Sequence, residues 1–164
     1  MEQFYVLDGL QVNIELDSVM HALDCSKDSP VYEEFLDEYE SIHQEMLSLA
    51  EPIGILGIGT LSEAAATEDY PAGTRIIYAV TSIGDGIKQC STKAFQEGDY
   101  VRGMLCDAMA DNALFSLEAR MQEQLREICA EQHVGILKRL EAPHDISMEV
   151  QWDAWEYLKL QERF

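Results

Sequence analysis

The chain is expected to fold as an α+β domain organised around one long central helix. Two runs rich in β-branched and small residues, IGILGIGT (residues 53–60) and RIIYAVTSIG (residues 75–84), have the composition of buried strands. A helical pattern then runs from about residue 99 to residue 132 without a proline. Amphipathic segments stand on either side of these three elements. No internal repeat or low-complexity linker interrupts them.

In order along the chain, LQVNIEL (residues 10–16) alternates as a strand, and Asp17-Ser18 opens a short helix through VMHALDC. Ser29-Pro30 reads as an N-cap followed by proline in the first turn, with Glu33 and Glu34 near the positive helix end. The helix that follows carries Val31, Phe35, Tyr39, Ile42, Met46 and Leu49 on one face, with Glu33, Glu34, Asp37 and Glu38 on the other. Pro52 ends it. After the strand at 53–60, LSEAAATEDYPAG has room for one helical turn before Pro71-Ala72-Gly73. The run at 75–84 suits a central strand. Residues 85–97 read as a helix closed by Gly98 at its C′ position.

The long helix is irregular. Val101, Met104, Leu105, Ala108 and Met109 lie on one face, whereas Leu114, Leu117, Met121, Leu125 and Ile128 lie on nearly the opposite one. With Ala108, Ala110 and Ala113 allowing close approach, this predicts a central helix covered on different sides along its length. VGILKRLEAP (residues 134–143) reads as a strand. Ser147 reads as the N-cap of a last helix whose apolar face is Met148, Trp152, Trp155 and Leu158, both tryptophans being expected in the core.

At 164 residues the chain is expected to form one domain, with residues 1–50 as an N-terminal strand and helices and 51–164 as the α+β core. A net charge of −20, from 31 acidic and 11 basic side chains, argues against nucleic acid and against anionic membranes as partners. It suits a cationic ligand or a basic partner, or simply solubility. The start of the chain lacks a basic n-region, so a cytoplasmic location is expected. Cys25, Cys90, Cys106 and Cys129 show no C-x-x-C spacing and read as reduced, structural thiols.

No catalytic constellation stands out. G-I-L-G-I-G (residues 54–59) has G-x-x-G-x-G spacing rather than the dinucleotide pattern, and reads as a glycine-rich strand packed closely on a helix. Asp107 and Asp111, one turn apart, read as a solvated pair unless burial separates their pKa values. His144, in A-P-H-D after the expected strand, is the most site-like of the four histidines.

The order strand, helix, Gly98-Asp99-Tyr100, long helix, strand resembles the activation (reactivation) domain of cobalamin-dependent methionine synthase and its short free-standing relatives. The residues that carry the resemblance are AVTSIGDGIKQCSTKAFQEGDYVRGMLCDAMADNALFSLEARMQEQLREI, where the family typically shows V-T-x-G, then G-D-Y, then an aspartate and an alanine in the long helix, here Asp107 and Ala108. QVNIELDSVMHAL and DSPVYEEFLDEYESIHQEMLSLAEP look like the family's earlier elements.

The resemblance implies a twisted, mostly antiparallel sheet with long helices. It also implies a non-catalytic accessory that binds S-adenosylmethionine and closes over a cobalamin-carrying protein for reductive reactivation. The partner would be a corrinoid protein or a truncated methionine synthase. Candidate ligand residues are Arg139, Pro143 and His144, with Asp99, Tyr100 and Asp107 from the long helix. Arg139 would hold a carboxylate through its planar fork. The family's loop reads R-x-x-P-G-Y, and here the stretch is Arg139-Leu140-Glu141-Ala142-Pro143-His144. The alternative left open is an interaction module with the same fold and no small-molecule site. It would dock a partner through the acidic helix at residues 30–50 or through the Trp152/Trp155 helix. Exposed tryptophans would point to that alternative.

Overall fold

A computed structural model describes residues 3–162. It is α+β: β1 (Gln3–Leu7), α1 (Leu16–Ala22), α2 (Tyr32–Leu49), β2 (Ile53–Thr60), β3 (Arg75–Ser82), α3 (Gly86–Glu97), α4 (Tyr100–Glu131) and α5 (Val150–Tyr157) follow in order. Two compact units emerge. A sheet unit gathers the residues up to Leu7, Gly54–Val80 and the residues from Glu123 onward; a helical unit gathers Asp8–Ile53 and Thr81–Gln122.

In the sheet unit the strand order is β1-β2-β3. β1 and β2 are antiparallel, with Phe4 opposite Gly57, Tyr5 opposite Leu56 and Leu7 opposite Gly54. β2 occupies the expected residues, and Gly54, Ile55, Leu56 and Gly57 are all buried. β3 stands beside β2 at the edge, not in the central place its composition suggested. Its β-branched side chains fit a half-buried pleat equally well, and Arg75 and Ala79 face water.

The glycines of β2 are there for packing. A Cβ at Gly57 would stand 2.5 Å from Leu158 Cδ2 and 2.7 Å from Tyr157 Cε1, and one at Gly59 would stand 3.0 Å from Tyr157. The strand therefore lets the end of α5 lie directly on its backbone, as the G-x-x-G-x-G spacing suggested. Tyr157 donates its hydroxyl proton to the Ile58 carbonyl, and its ring lies 5.4 Å from that of Tyr78. Asp153 faces the same way: its Oδ2 accepts from Ser62 N–H at 3.0 Å and from the Tyr78 hydroxyl at 3.3 Å. Burial, and then the adjacent Asp153 carboxylate, push the Tyr78 phenol far above its usual range.

That arrangement overturns the expected face of α5. Asp153, Ala154, Tyr157 and Leu158 are buried or half-buried, whereas Met148, Trp152 and Trp155 are exposed. The two tryptophans do not belong to the core. Once the sheet accepts α5 through two glycines, the flat Tyr157 ring fits the contact, and a bulkier indole is not needed there. The helix also starts at Val150 rather than beside Ser147, within the usual uncertainty of helix ends.

Residues 134–143 form no strand. Ile136 and Leu137 lie exposed, with no ladder partner to favour extension. The charges close on one another instead. Lys138 pairs with Asp145, whose other oxygen accepts from Glu141 N–H at 3.2 Å, and Arg139 Nε lies 2.9 Å from Glu141 Oε1. Leu140 and Ala142 anchor this turn with Ile146 against Leu61 and Ala65.

The helical unit has a continuous apolar core. Phe35, Tyr39, Ile42 and Met46 of α2 are buried as their spacing predicts, together with Val19 and Met20 of α1, Ile87 of α3 and Leu105, Met109 and Leu117 of α4. Each such side chain contributes about 1.5–3 kcal/mol on burial. Gly98 takes φ +81° and closes α3 as expected, with Asp99 N–H donating to the Ala94 carbonyl at 2.9 Å.

Two expectations change in this unit. Residues 10–16 form no strand, because side chains from α2 and α4 serve the backbone that a neighbouring strand would have served. Asn13 N–H donates to Ser116 Oγ at 2.8 Å, and Glu15 N–H to Asn112 Oδ1 at 2.7 Å. The Ile14 carbonyl accepts from the Tyr39 hydroxyl at 2.8 Å and lies 3.1 Å from His43 Nε2. Burial, with Glu15 nearby, raises the Tyr39 phenol above its ordinary value.

The second change concerns α4. Its buried seam is Leu105, Met109, Ala113, Leu117 and Met121, one residue in every four. Each step of four turns the seam by about 40°, so its two ends point in nearly opposite directions. Windows taken at either end thus read as two faces, although there is a single winding one. The helix is thus covered on different sides along its length, while Met104, Asp107, Asp111 and Phe115 remain exposed.

Candidate functional site

The residues singled out from the sequence fall into two groups, one in each unit. Arg139, Pro143 and His144 belong to the sheet unit; Asp99, Tyr100 and Asp107 belong to the helical unit.

In the sheet unit, Arg139, Pro143 and His144 are exposed on the turn described above. Arg139 is engaged by Glu141, two residues on. A ligand carboxylate would have to displace that side chain, and the same negative charge opposes its arrival. Hydrogen bonding from Lys138, then from Glu141 N–H, holds the Asp145 carboxyl below its usual range, and Asp145 in turn raises Lys138. The charged groups of this turn satisfy one another.

The α3–α4 joint of the helical unit is built differently. Asp99 caps α4, its Oδ1 accepting from Arg102 N–H at 3.1 Å. Phe95 lies across α4 where Gly103 leaves space, since a Cβ there would meet its ring at 2.7 Å. The Tyr100 ring sits 6.3 Å from Phe95 and is 66% exposed. An open groove of about 560 Å³ lies at the joint, lined by Glu34, Asp37 and Glu38 of α2 and by Gly98 to Val101. Arg102 reaches into the same region. Its guanidinium binds Glu38 at 3.0 Å and Glu45 at 2.8 Å. Partial burial works against that charge, but the two carboxylates outweigh it and raise its pKa. Among the described residues, Glu34, Asp37 and Asp99 of the groove have no such guanidinium contact.

Asp107 stands further along α4, exposed, with Asp111 one turn beyond it. A solvated pair is the reading that fits, because both side chains face water. The Trp152/Trp155 pair, Met104 and Phe115 are among the exposed groups that helical periodicity alone misplaced or passed over. At about 100° per residue Phe115 falls about 20° from Met104, which the sequence placed on the first apolar stripe, so periodicity gave no sign that either faces water.

All four cysteines are free thiols, and Cys25, Cys106 and Cys129 are buried. Burial pushes the Cys106 thiol up to about 11. Among the described residues, no group of three or more His, Cys, Asp or Glu side chains is placed to hold a metal ion. Among the same residues, no helix is long and apolar enough to cross a membrane. No protein-family model matches the chain, and no curated protein matches it.

Proposed function

We propose that the protein works by binding rather than by chemistry of its own, as the interaction-module form of an activation-domain-type accessory. The observation that carries this reading is the outward pair on α5. Trp152 is 64% and Trp155 40% exposed, on a helix whose inner face is filled by other residues. Tryptophan is enriched at protein interfaces and among the residues that dominate their energetics. The exposed part of each indole forgoes apolar burial that a partner would recover.

The family resemblance supplies the partner, a corrinoid protein or a methionine synthase lacking this domain. Cobalamin would enter only through that partner. S-adenosylmethionine at the Arg139, Pro143 and His144 turn is the weaker element, because Glu141 already holds Arg139.

Calorimetric titration tests the reading, first with a cobalamin-loaded corrinoid protein and then with S-adenosylmethionine. A saturable heat with the corrinoid protein, lost in Trp152→Ala and Trp155→Ala, is the expected result. Binding of S-adenosylmethionine that disappears in Arg139→Ala would restore the ligand-dependent activation role. Silence in both titrations would sink the accessory reading altogether.

A further inference from the structure

The outer face of α4 carries a second, chemically different surface. Tyr100, Met104, Asp107, Asp111 and Phe115 fall within about 80° of arc, so they form one stripe roughly 22 Å long. The three large side chains are 66%, 41% and 64% exposed, and both aspartates face water between them. An amphipathic helix with one buried seam ordinarily turns a polar face outward. Single exposed apolar groups need no explanation, but three aligned on one face do.

Charge indicates what would cover this face. No lysine or arginine stands in the stripe. At its start the stripe runs into the groove lined by Glu34, Asp37 and Asp99, and the nearest guanidinium, Arg102, is already held by Glu38 and Glu45. A second copy of a chain with net charge −20 would bring like charge against like. Anionic lipid and nucleic acid are repelled for the same reason. What remains complementary is an apolar segment interleaved with cations.

We propose that the stripe Tyr100, Met104, Asp107, Asp111 and Phe115 docks a basic amphipathic helix of a partner protein. Its apolar side chains would lie on Met104 and Phe115. Lysines or arginines would meet Asp107 and Asp111, and one cation would reach the groove beside Tyr100, where the ring face adds to the attraction. The match is helix against helix face, read out by side chains three and four apart. This goes beyond the tryptophan face of α5 and stands or falls separately from it.

The test uses the full chain and a dye-labelled synthetic helix of about 16 residues, long enough to span the stripe. Its apolar face is leucine and phenylalanine and its flanks are lysine; a twin carries glutamate flanks instead. Fluorescence anisotropy should show saturable binding of the lysine peptide, weakened by salt, and none of the twin. Phe115→Ala should weaken binding about tenfold or more, as should the pair Asp107→Asn and Asp111→Asn, while Trp152→Ala should leave it unchanged. Equal binding of both peptides, or undiminished binding to Phe115→Ala, overturns the proposal. So does reversible self-association in sedimentation that Phe115→Ala abolishes, because a second copy would then be the occupant. Both variants change exposed positions only, and the charge pair leaves the apolar groups intact, so a folding defect in one variant does not decide the outcome.

Discussion

Each unit is held together internally, and the devices are opposite. In the helical unit, order comes from side chains large enough to interlock: Ile42 and Met46 of α2 with Leu105, Met109 and Leu117 of α4. In the sheet unit, a decisive contact depends on side chains that are absent. Gly57 and Gly59 let Tyr157 and Leu158 lie on the backbone of β2. The first device fails when atoms are removed, the second when atoms are added. Close packing makes both intolerant, but in different directions.

Substitutions can break this contrast, beginning with the most damaging. Leu105→Ala leaves a cavity in the helical core and should cost about 2–5 kcal/mol in denaturant unfolding. Gly57→Ala adds a single methyl against Leu158 and should cost about 1–3 kcal/mol. Gly135→Ala, with nothing within 4 Å, should change stability by less than about 0.5 kcal/mol. Equal effects at the two glycines would mean that β2 and α5 can part without penalty. Tyr39→Phe removes the hydroxyl that serves the Ile14 carbonyl and should cost about 1 kcal/mol by the same measurement.

A pH titration sharpens the helical side. The Cys106 thiol has a folded value of about 11 against an unfolded 9.0, raised first by burial and then by Cys90. The unfolded chain therefore loses this proton first as pH rises. The contribution is fully present below pH 9 and fades as pH climbs towards 11. Stability should fall with a shallow slope in that window, and Cys106→Ala should flatten it. Trp152→Ala and Trp155→Ala belong with the small effects, each under about 0.5 kcal/mol, since both side chains are exposed. A larger loss would return the tryptophans to the core.

The same contrast explains what was legible in the sequence. Periodicity registers what side chains do along one element, so the α2 face, the Gly98 cap and β2 were all readable. It is blind to groups supplied from far along the chain. Residues 10–16 alternate like a strand, yet Ser116 and Asn112 take the backbone partners a strand would need. The run at 134–143 has strand composition, but Lys138, Arg139, Glu141 and Asp145 close a local ionic turn. The tryptophans of α5 were misplaced because size was read as a preference for burial, when Tyr157 and Leu158 are the side chains that lie on the sheet. Asp99 and Tyr100 were readable as a helix start. The groove beside them was not, since Glu34 and Asp37 come from another helix.

The winding seam of α4 also constrains how the chain can change in length. Losing one residue midway between Leu105 and Met121 would swing everything beyond it by about 100°, putting Glu118 where Leu117 fills the core. Removing seven residues or adding eleven returns the helix to within about 20° of its former face. Variants of this chain that keep its core can therefore be expected to shorten or lengthen α4 in those increments, with single-residue indels confined to the turns.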